Sequence, residues 1–432
     1  MEFPDRTDIE RLLDPVSLPS FARVRYGPDM ETVTDVAAAT QDELAGLDLT
    51  GLDQGATVAV GLGSRGIHAI DDIAAAAVEF LDGAGFDPVI VPAMGSHGGA
   101  TAEGQREVLE ALGITEEQVG APIDARMAAE QVGEVTVGET TTPVYVSTAA
   151  LEADGVLVVN RVKPHTNFTG RIESGLSKMA VVGLGKQRGA NAFHSTAIAE
   201  GYVTTLETMF DTIRTDTPLL GGIALVENFN EETSHVEFIP TDAFVDREPA
   251  LLERARAEMA MLPTDDIDLL VVDEVGKEIS GAGMDTNVIG RYRVLNANDP
   301  ENPDISLIYV RGLTERTKGN GNGIGLADVT RTAAVDQLNL RKTYANAMTS
   351  GSLEKSKLPV VAPNDELAFR VALSALGGYD PTDARIVRIE NTQNLAELYV
   401  SEAVVDDLPA GAEVVERGAF TFPAGDLSFD VC

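Results

Sequence analysis

The strongest constraint on the fold is an alternation of short apolar runs with longer amphipathic segments, which begins at Ala56. The apolar runs have the length and composition of buried strands. They are ATVAVGLGS (56–64), DPVIVPAMGS (87–96), DGVLVVNRV (154–162) and LLGGIALVEN (219–228). The intervening segments predict helices over 70–85, 99–113 and 198–214, with Thr101 as an N-cap, and residues 133–147 predict a hairpin. This alternation predicts an α/β fold with a mostly parallel sheet covered on both faces.

A second series of strands and helices follows a charged helix predicted over 248–262, which we interpret as a connector ending before Pro263. Its predicted strands are DIDLLVVDEVG, SLIYVRGL, KLPVVAPN, ARIVRIEN and AELYVSEAV, and its clearest helix is DELAFRVALSALGG. A chain of 432 residues exceeds the size of one ordinary core. We therefore predict two α/β domains, residues 1–262 and 263–432, with mostly parallel sheets and an active-site cleft between them. The weakly patterned residues 1–50 are expected to pack on the first domain.

Composition narrows the classes of partner. The 69 acidic and 32 basic residues give a net charge of −37, which opposes binding to nucleic acid or to an anionic membrane. The acidic residues are spread along the chain, and such a surface is typical of a halophile, because molar salt shortens the Debye length to about 3 Å. The sequence shows no apolar run of transmembrane length and no signal-like start, so we expect a cytoplasmic protein. Cys432 is the single cysteine, so an intrachain disulfide is excluded.

One stretch, residues 160–195, concentrates residue types that the chain otherwise avoids. The chain has eight lysines and none before Lys163, yet Lys163, Lys178 and Lys186 all lie here, together with His165 and His194. A solvated surface could have used arginine, so amines placed beside imidazoles indicate a local chemical purpose. Ligands of open α/β sheets bind at the carboxyl ends of the strands, which is where this stretch begins.

Three side chains that follow predicted strands are candidates for substrate chemistry. Arg65, in GLGSRGIH, could hold a carboxylate in a bidentate fork, or it could pair with one of the many acidic residues. His97 lies between glycines in MGSHGGAT, and His165 follows Lys163-Pro164. An imidazole can exchange protons near neutral pH, although either histidine could instead serve a structural role.

Two further residues could bind a cofactor. Lys178, in ESGLSKMAVV, could act as a nucleophile if burial lowered its pKa, or it could extend from a helix to solvent. His194, in NAFHS, could bind a metal through a neutral imidazole, although one histidine does not make a site. The glycine-rich loop 317–328 could contact a phosphate, but it lacks the lysine–hydroxyl ending of a P-loop.

Taken together, these motifs resemble the nickel-dependent lactate racemases and the related 2-hydroxyacid racemases and epimerases. The resemblance covers about residues 55–200 and rests on the order and spacing of its elements. They are Arg65 in GSRGIH, His97 in GSHGG, His165 in KPHTNFTG, Lys178 in SGLSK and His194 in ANAFHS. The combination is far more specific than any one of them.

The resemblance implies a cofactor, a reaction and partners. The family uses a nickel-pincer nucleotide, a pyridinium mononucleotide whose sulfur groups hold nickel. For this chain, the resemblance implies that Lys178 bonds covalently to the cofactor and that His194 binds nickel. It also implies that His97 and His165 act as paired acid/base groups and that Arg65 holds the substrate carboxylate. The implied partners are a small 2-hydroxyacid substrate and the proteins that synthesise the cofactor.

The sequence also departs from the family's pattern. The interval between His165 and Lys178 is longer than in the lactate enzymes and lacks the paired glycines before the lysine. The second-domain region KEISGAGMDTNVIGRYR offers Lys277 or Arg291 in place of the family's glutamine and lysine, and we select Arg291 as a candidate for substrate binding. The alternative functions are a dehydrogenase or lyase that uses another nucleotide, and a ligand-binding protein without a metal.

Overall fold

A computed structural model describes residues 2–64, 66–295 and 297–432, including their side chains except those of residues 349 and 350. The strands are β1 (Phe21–Tyr26), β2 (Thr57–Leu62), β3 (Asp87–Pro92), β4 (Ala129–Val137), β5 (Thr140–Ser147), β6 (Gly155–Arg161), β7 (Leu219–Glu227), β8 (Thr233–Pro240), β9 (Asp266–Val272), β10 (Asp304–Val310), β11 (Val329–Arg331), β12 (Val360–Ala362), β13 (Ile386–Ile389), β14 (Glu397–Ser401), β15 (Ala412–Thr421) and β16 (Ser428–Val431).

The α-helices are α1 (Arg6–Leu12), α2 (Val36–Leu44), α3 (Ile70–Gly83), α4 (Ala102–Ala111), α5 (Glu116–Val119), α6 (Thr148–Leu151), α7 (Leu176–Lys178), α8 (Lys186–Glu200), α9 (Tyr202–Asp216), α10 (Phe244–Glu258), α11 (Thr332–Asp336), α12 (Leu340–Ser350), α13 (Asp365–Ala375) and α14 (Glu402–Val405). A π-helical turn, Met179–Gly183, continues α7, and short 3₁₀ turns include Ile324–Leu326 and Leu353–Ser356. Across the described ranges, none of the helices combines the length and the apolar character needed to cross a bilayer.

The chain divides into two compact units. The N-terminal unit comprises Met30–His165 and Thr169–Met259, and the C-terminal unit comprises Met1–Asp29, Thr166–Phe168 and Ala260–Cys432. We predicted domains of 1–262 and 263–432, with the chain start on the first. Residues 1–29 instead belong to the C-terminal unit because β1 pairs with β14 on one side and β15 on the other.

The N-terminal unit contains a sheet in the order β3-β2-β6-β7-β8. Its strands are parallel except β8, which pairs antiparallel with β7. Val58, Val60, Leu157 and Val159 of the central strands are fully buried, as expected for strands covered on both faces. Strands β4 and β5 form the predicted hairpin, and Thr101 caps α4 by accepting a hydrogen bond from the Gly104 N–H. The predicted α/β architecture is confirmed.

The predicted connector helix has different bounds and a different role. Helix α10 begins at Phe244, ends at Glu258 and lies wholly within the N-terminal unit. Its Glu248 is buried, so the helix is part of that unit's core and does not link two domains.

The C-terminal unit contains a sheet in the order β12-β11-β10-β9-β13-β14-β1-β15-β16. The first five strands in this order, from β12 through β11, β10 and β9 to β13, are parallel to one another. The remaining four, β14, β1, β15 and β16, add antiparallel pairings. This sheet is therefore mixed, and the antiparallel part comes from the two ends of the chain. Sequence patterning identified β9, β10, β12, β13 and β14 but missed β1, β11, β15 and β16.

The glycine-rich loop 317–328 has a packing role in the C-terminal unit. Gly323 and Gly283 both have positive φ angles, of 107° and 89°, and a Cβ on either would overlap the backbone of the other's segment. A Cβ on Gly325 would overlap the Glu354 carbonyl oxygen. The glycines thus allow backbone segments to pack closely, and this accounts for them without a phosphate.

We predict that Gly323→Ala lowers the free energy of unfolding by about 3 kcal/mol or more, because it combines a positive φ with overlap at the Ala282 carbonyl. Gly377→Ala is the matched control, since Gly377 has a φ of 62° but open space where the added methyl group would lie. It should cost only about 1–2 kcal/mol, the strain of a left-handed residue. Chemical unfolding followed by circular dichroism measures both, and equal losses would contradict the packing interpretation.

Candidate active site

The candidate site lies at the carboxyl edge of the N-terminal unit's sheet. Strands β3, β2 and β6 run parallel, so their carboxyl ends meet at one edge. Ser64 follows β2, His97 follows β3, and His165 follows β6 within four residues of its end. This is the position at which open α/β sheets bind ligands.

Hydrogen bonds fix the segment that carries His97. The Ser64 hydroxyl and Nδ1 of His97 form a short hydrogen bond, which orients the imidazole ring. Behind the loop, the fully buried Gln105 donates through Nε2 to the carbonyl oxygens of Gly95, at 3.0 Å, and His97, at 3.4 Å. A ring and a backbone held separately leave little freedom for the imidazole.

Lys186 supports the same segment from within the core. Its side chain is fully buried, and its ammonium group donates to the Pro92 carbonyl at 2.7 Å and to Oε1 of Gln105 at 3.1 Å. Burial lowers the pKa of Lys186 to about 8, partly opposed by Asp124. Lys186 is one of the few lysines that the sequence concentrates in residues 160–195. In the structure it joins the end of β3 to Gln105, and Gln105 in turn bonds to the His97 loop.

The loop that carries His165 closes on itself. Lys163 and Ser174 exchange two backbone hydrogen bonds at its base, of 3.0 and 3.2 Å. Inside the loop, the buried Glu173 carboxylate accepts hydrogen bonds from the His165 and Gly170 N–H groups and pairs with Arg256. The extra length between His165 and Lys178 therefore forms a closed loop, which returns the chain to the sheet edge before Lys178.

Lys178 ends a single turn of helix whose start is held by two hydrogen bonds. The Asn160 amide, from the end of β6, donates to the Gly175 carbonyl at 2.9 Å. Glu248 of α10 accepts from the Ser177 N–H at 2.8 Å, and Gly175 leaves room for its carboxylate, which a Cβ would crowd at 2.7 Å. Helix α7 then becomes a π-helical turn, a local irregularity frequent at functional sites. The Lys178 side chain is half-buried.

The π-helical turn ties Lys178 to the His97 loop. The Gly95 N–H donates to the Gly183 carbonyl at 3.1 Å, and a Cβ at Gly183 would approach the Ala93 carbonyl to 2.5 Å. At the other end of the turn, the Met179 methyl lies 3.0 Å from where a Gly63 Cβ would stand. The turn therefore lies against the carboxyl ends of β2 and β3, and at Gly183 the Ala93 backbone leaves no room for a side chain.

His194 lies on α8 and is electrostatically coupled to Lys178. His194 is exposed in part. The pKa of its imidazole is nevertheless lowered to about 4, mainly because the surrounding protein desolvates the ring and also because the Lys178 ammonium repels a second positive charge. The imidazole is therefore neutral near pH 7, the form that binds metals. Ring contacts connect it to the other loop: Phe193 touches His194, Tyr202 touches Phe193, and Tyr202 lies 6.5 Å from His165 between ring centroids.

The predicted arginines are placed differently. Arg65 lies outside the described residues. Arg291 is buried in the C-terminal unit, and its terminal nitrogens donate to Asp328 and to the carbonyl oxygens of Leu326, Ile305 and Ser306. These bonds join β10 to the segment before β11 and give Arg291 a structural role, and its binding of substrate stays a prediction. Lys277, the other candidate, is exposed and donates to Asn346.

The described side chains do not form a metal cage of their own. Among the residues that the structure describes, no three His, Cys, Asp or Glu side chains are grouped so as to hold a metal ion. A metal at His194 would have to bring most of its ligands with it.

Sequence reasoning missed the residues that hold the site in place. Ser64, Gln105, Glu173 and Glu248 each bond to a loop that carries a candidate residue. Glu173 lies inside the resembling stretch, but its neighbours Arg171 and Ser174 are polar, so the sequence gives no sign that its side chain is buried. Gln105 and Glu248 lie on amphipathic helices, where a polar residue gives no sign that it faces inward.

The fold and the site define an α/β protein with two histidines, a lysine and a neutral imidazole at one edge of a parallel sheet. The family model described as a domain of unknown function (DUF362) matches residues 64–305. This match spans more than half of the chain, and the chain belongs to that family.

Among solved structures, the chain is similar to the lactate racemase apoprotein from Thermoanaerobacterium thermosaccharolyticum. The two are 12% identical in sequence, with a TM-score of 0.45, and the match covers 87% of this chain and 89% of that one. No curated protein matches the sequence.

The carboxyl group of Glu248 makes the stability of the site depend on pH. Full burial raises the pKa of Glu248 from 4.5 to about 7, against the hydrogen bonds from α7 that favour the charged form. The folded protein therefore holds this proton more tightly than the unfolded chain does. The resulting stabilisation is complete below pH 4.5 and is lost as the pH rises to about 7.

We predict that Glu248→Gln, which keeps an acceptor but does not ionise, gains stability relative to wild type between pH 5 and 7. The gain should approach about 3 kcal/mol and then level off, as the shift in pKa implies. Urea unfolding at fixed salt and several pH values measures it. Glu253→Gln is the control, because Glu253 is an exposed residue of the same helix, 79% accessible in its side chain. A constant difference for Glu248→Gln across this pH range would contradict the prediction.

Proposed function

We propose that this protein is a racemase or epimerase that inverts C2 of a 2-hydroxyacid with the help of a nickel-pincer nucleotide. The observation that carries the proposal is geometric: the turn that follows Lys178 bonds to the His97 loop through the Gly95 N–H and the Gly183 carbonyl, and ring contacts lead from His194 through Phe193 and Tyr202 to His165. The resemblance of these motifs to the nickel-dependent lactate racemases supplies the reaction class.

The donor set fits such a cofactor. Lys178 lies on a rigid turn and offers an amine for covalent attachment. His194 offers one neutral imidazole, which suffices for a metal that arrives with sulfur ligands of its own. A bare ion would find no comparable cage among the described side chains. The proteins that synthesise the cofactor are accordingly proposed as partners.

Lys178 and His194 would hold the cofactor, which would supply a reversible acceptor for the hydride of C2. The chain's own residues manage the proton of the substrate hydroxyl. His97 and His165 come from loops after different strands, and we propose that they serve opposite faces of a planar keto acid. One takes the hydroxyl proton as the C2–H bond breaks, and the other gives a proton back on the opposite face. General acid/base groups of this kind contribute about 10²–10⁴-fold to rate.

The carboxylate of the substrate requires a cation at a fixed place. We propose Arg65 for this role, because it follows β2 next to Ser64, the residue that orients His97. A bidentate guanidinium would fix both the position and the plane of the carboxylate.

Covalent attachment at Lys178 is the most direct prediction. Protein made together with the cofactor-synthesis proteins should carry an added mass that Lys178→Ala abolishes, because the amine is the bonding atom. Intact-mass measurement on protein prepared in molar potassium chloride checks this without any assay of activity.

Lys163→Ala is the matched control, since Lys163 is also half-buried and lies in the same stretch. It should retain the added mass. An adduct that persists in Lys178→Ala, or that maps to Lys163, would refute the assignment, and a wild-type protein without adduct or nickel would refute the cofactor.

The acid/base pair gives a second prediction. His97→Ala and His165→Ala should each keep the covalent adduct but lose at least about 10²-fold in kcat, because each removes one proton-transfer group. Racemisation is measured by chiral chromatography of a panel of 2-hydroxyacids. His235→Ala is the control, because His235 pairs with Glu237 on β8. A variant at His97 or His165 that turns over at the wild-type rate would remove that residue from the mechanism.

A further inference from the structure

The C-terminal unit includes a short segment that is continuous with His165. Thr166–Phe168 belongs to the C-terminal unit, whereas His165 and Thr169 on either side belong to the N-terminal unit. The backbone of a proposed acid/base residue is thus joined directly to a segment held elsewhere. What holds that segment bears on the placement of His165.

Lys355 anchors this segment. Its ammonium group donates to Oδ1 of Asn167 at 2.8 Å and to the Thr166 carbonyl at 3.4 Å. The Thr286 hydroxyl donates to the same carbonyl at 2.8 Å. Lys355 is 2% exposed, and Phe168, which follows Asn167, is 4% exposed, while Thr166 and Asn167 are half-buried.

The turn that carries Lys355 is held by a hydrogen bond and by close packing. The Gly323 N–H donates to the Lys355 carbonyl at 2.7 Å, and Gly325 packs against the preceding residue so closely that no side chain fits there. The glycine-rich loop therefore supports the Lys355 turn. Burial lowers the pKa of Lys355 to about 8, while Asp285 and Asp299 favour its charged form.

We propose that Lys355 is a positioning residue that sets the backbone of His165 by holding Thr166–Phe168. Glu173 accepts a hydrogen bond from the His165 N–H, and Lys355 donates to the carbonyl of the next residue, Thr166, so the backbone is held before and after His165. The significance for catalysis rests on the proposed function, but the anchoring itself does not. Because the backbone is continuous, the anchor on Thr166–Phe168 shapes the loop that presents His165.

Lys355→Met tests the proposal, because it keeps the length of the side chain and removes the donor. Hydrogen exchange measured by mass spectrometry should show amides of residues 165–170 exchanging about tenfold faster, with the rest of the chain unchanged. Asn167→Ala should give the same local effect, and the double variant should add nothing further. Lys342→Met is the control, since Lys342 also donates to a carbonyl, that of Lys318, but on an exposed helix.

Catalysis supplies an independent measurement. If the proposed function holds, Lys355→Met should lower kcat about 10²-fold with KM within about twofold of wild type and the Lys178 adduct intact, as expected for a displaced catalytic group. Unchanged exchange at residues 165–170 overturns the proposal, and so does faster exchange throughout the C-terminal unit, which would indicate general stabilisation. A wild type without adduct or turnover would refute the proposed function alone, because the exchange measurement still decides the role of Lys355.

Discussion

Buried charged groups hold the loops of the candidate site, and the rest of its geometry depends on them. Parallel strands stop at the carboxyl edge, so the chain beyond them has no ladder to satisfy its backbone groups. Lys186 binds the end of β3, Glu173 binds the His165 loop, and Glu248 binds the start of the Lys178 turn. The charged form of each group is expensive to bury, so each depends on its hydrogen-bonding partners, and burial favours the neutral form of Glu248. Loss of one partner therefore disturbs a whole loop.

The use of lysine follows from the same constraint. A chain with 69 acidic residues and eight lysines has largely replaced surface lysine by other residues. Lys186 and Lys355 are nevertheless buried, and each ammonium reaches a backbone carbonyl and a side-chain amide oxygen. A compact ammonium on a flexible stem fits such a cavity, whereas a planar guanidinium would need more space and more acceptors. Arginine takes the larger sites, as Arg291 does with four oxygen acceptors.

The sequence predicts those parts of the fold that local patterns specify. Strands β2, β3, β6 and β7 and helices α3 and α4 were recognisable because burial on both faces, or on one face, leaves a short-range periodicity. The assignment of residues 1–29 was not recognisable, because β1 is defined by pairing with β14 and β15, which lie near the other end of the chain. Edge strands such as β16 carry too little apolar pattern to stand out.

The candidate site shows the same division between local and long-range information. His97, His165, Lys178 and His194 could be selected because their motifs are local and follow predicted strands. Arg291 was selected by the same reasoning and proved to bond to carbonyl oxygens, since a sequence does not reveal the direction in which a side chain points. Lys355 lies in an ordinary charged segment, and only the membership of Thr166–Phe168 in the C-terminal unit exposes its connection to His165. Lys355 contacts Thr166 and Asn167, and these residues follow His165 directly in the chain. A local motif does not encode a contact between positions so far apart in the sequence.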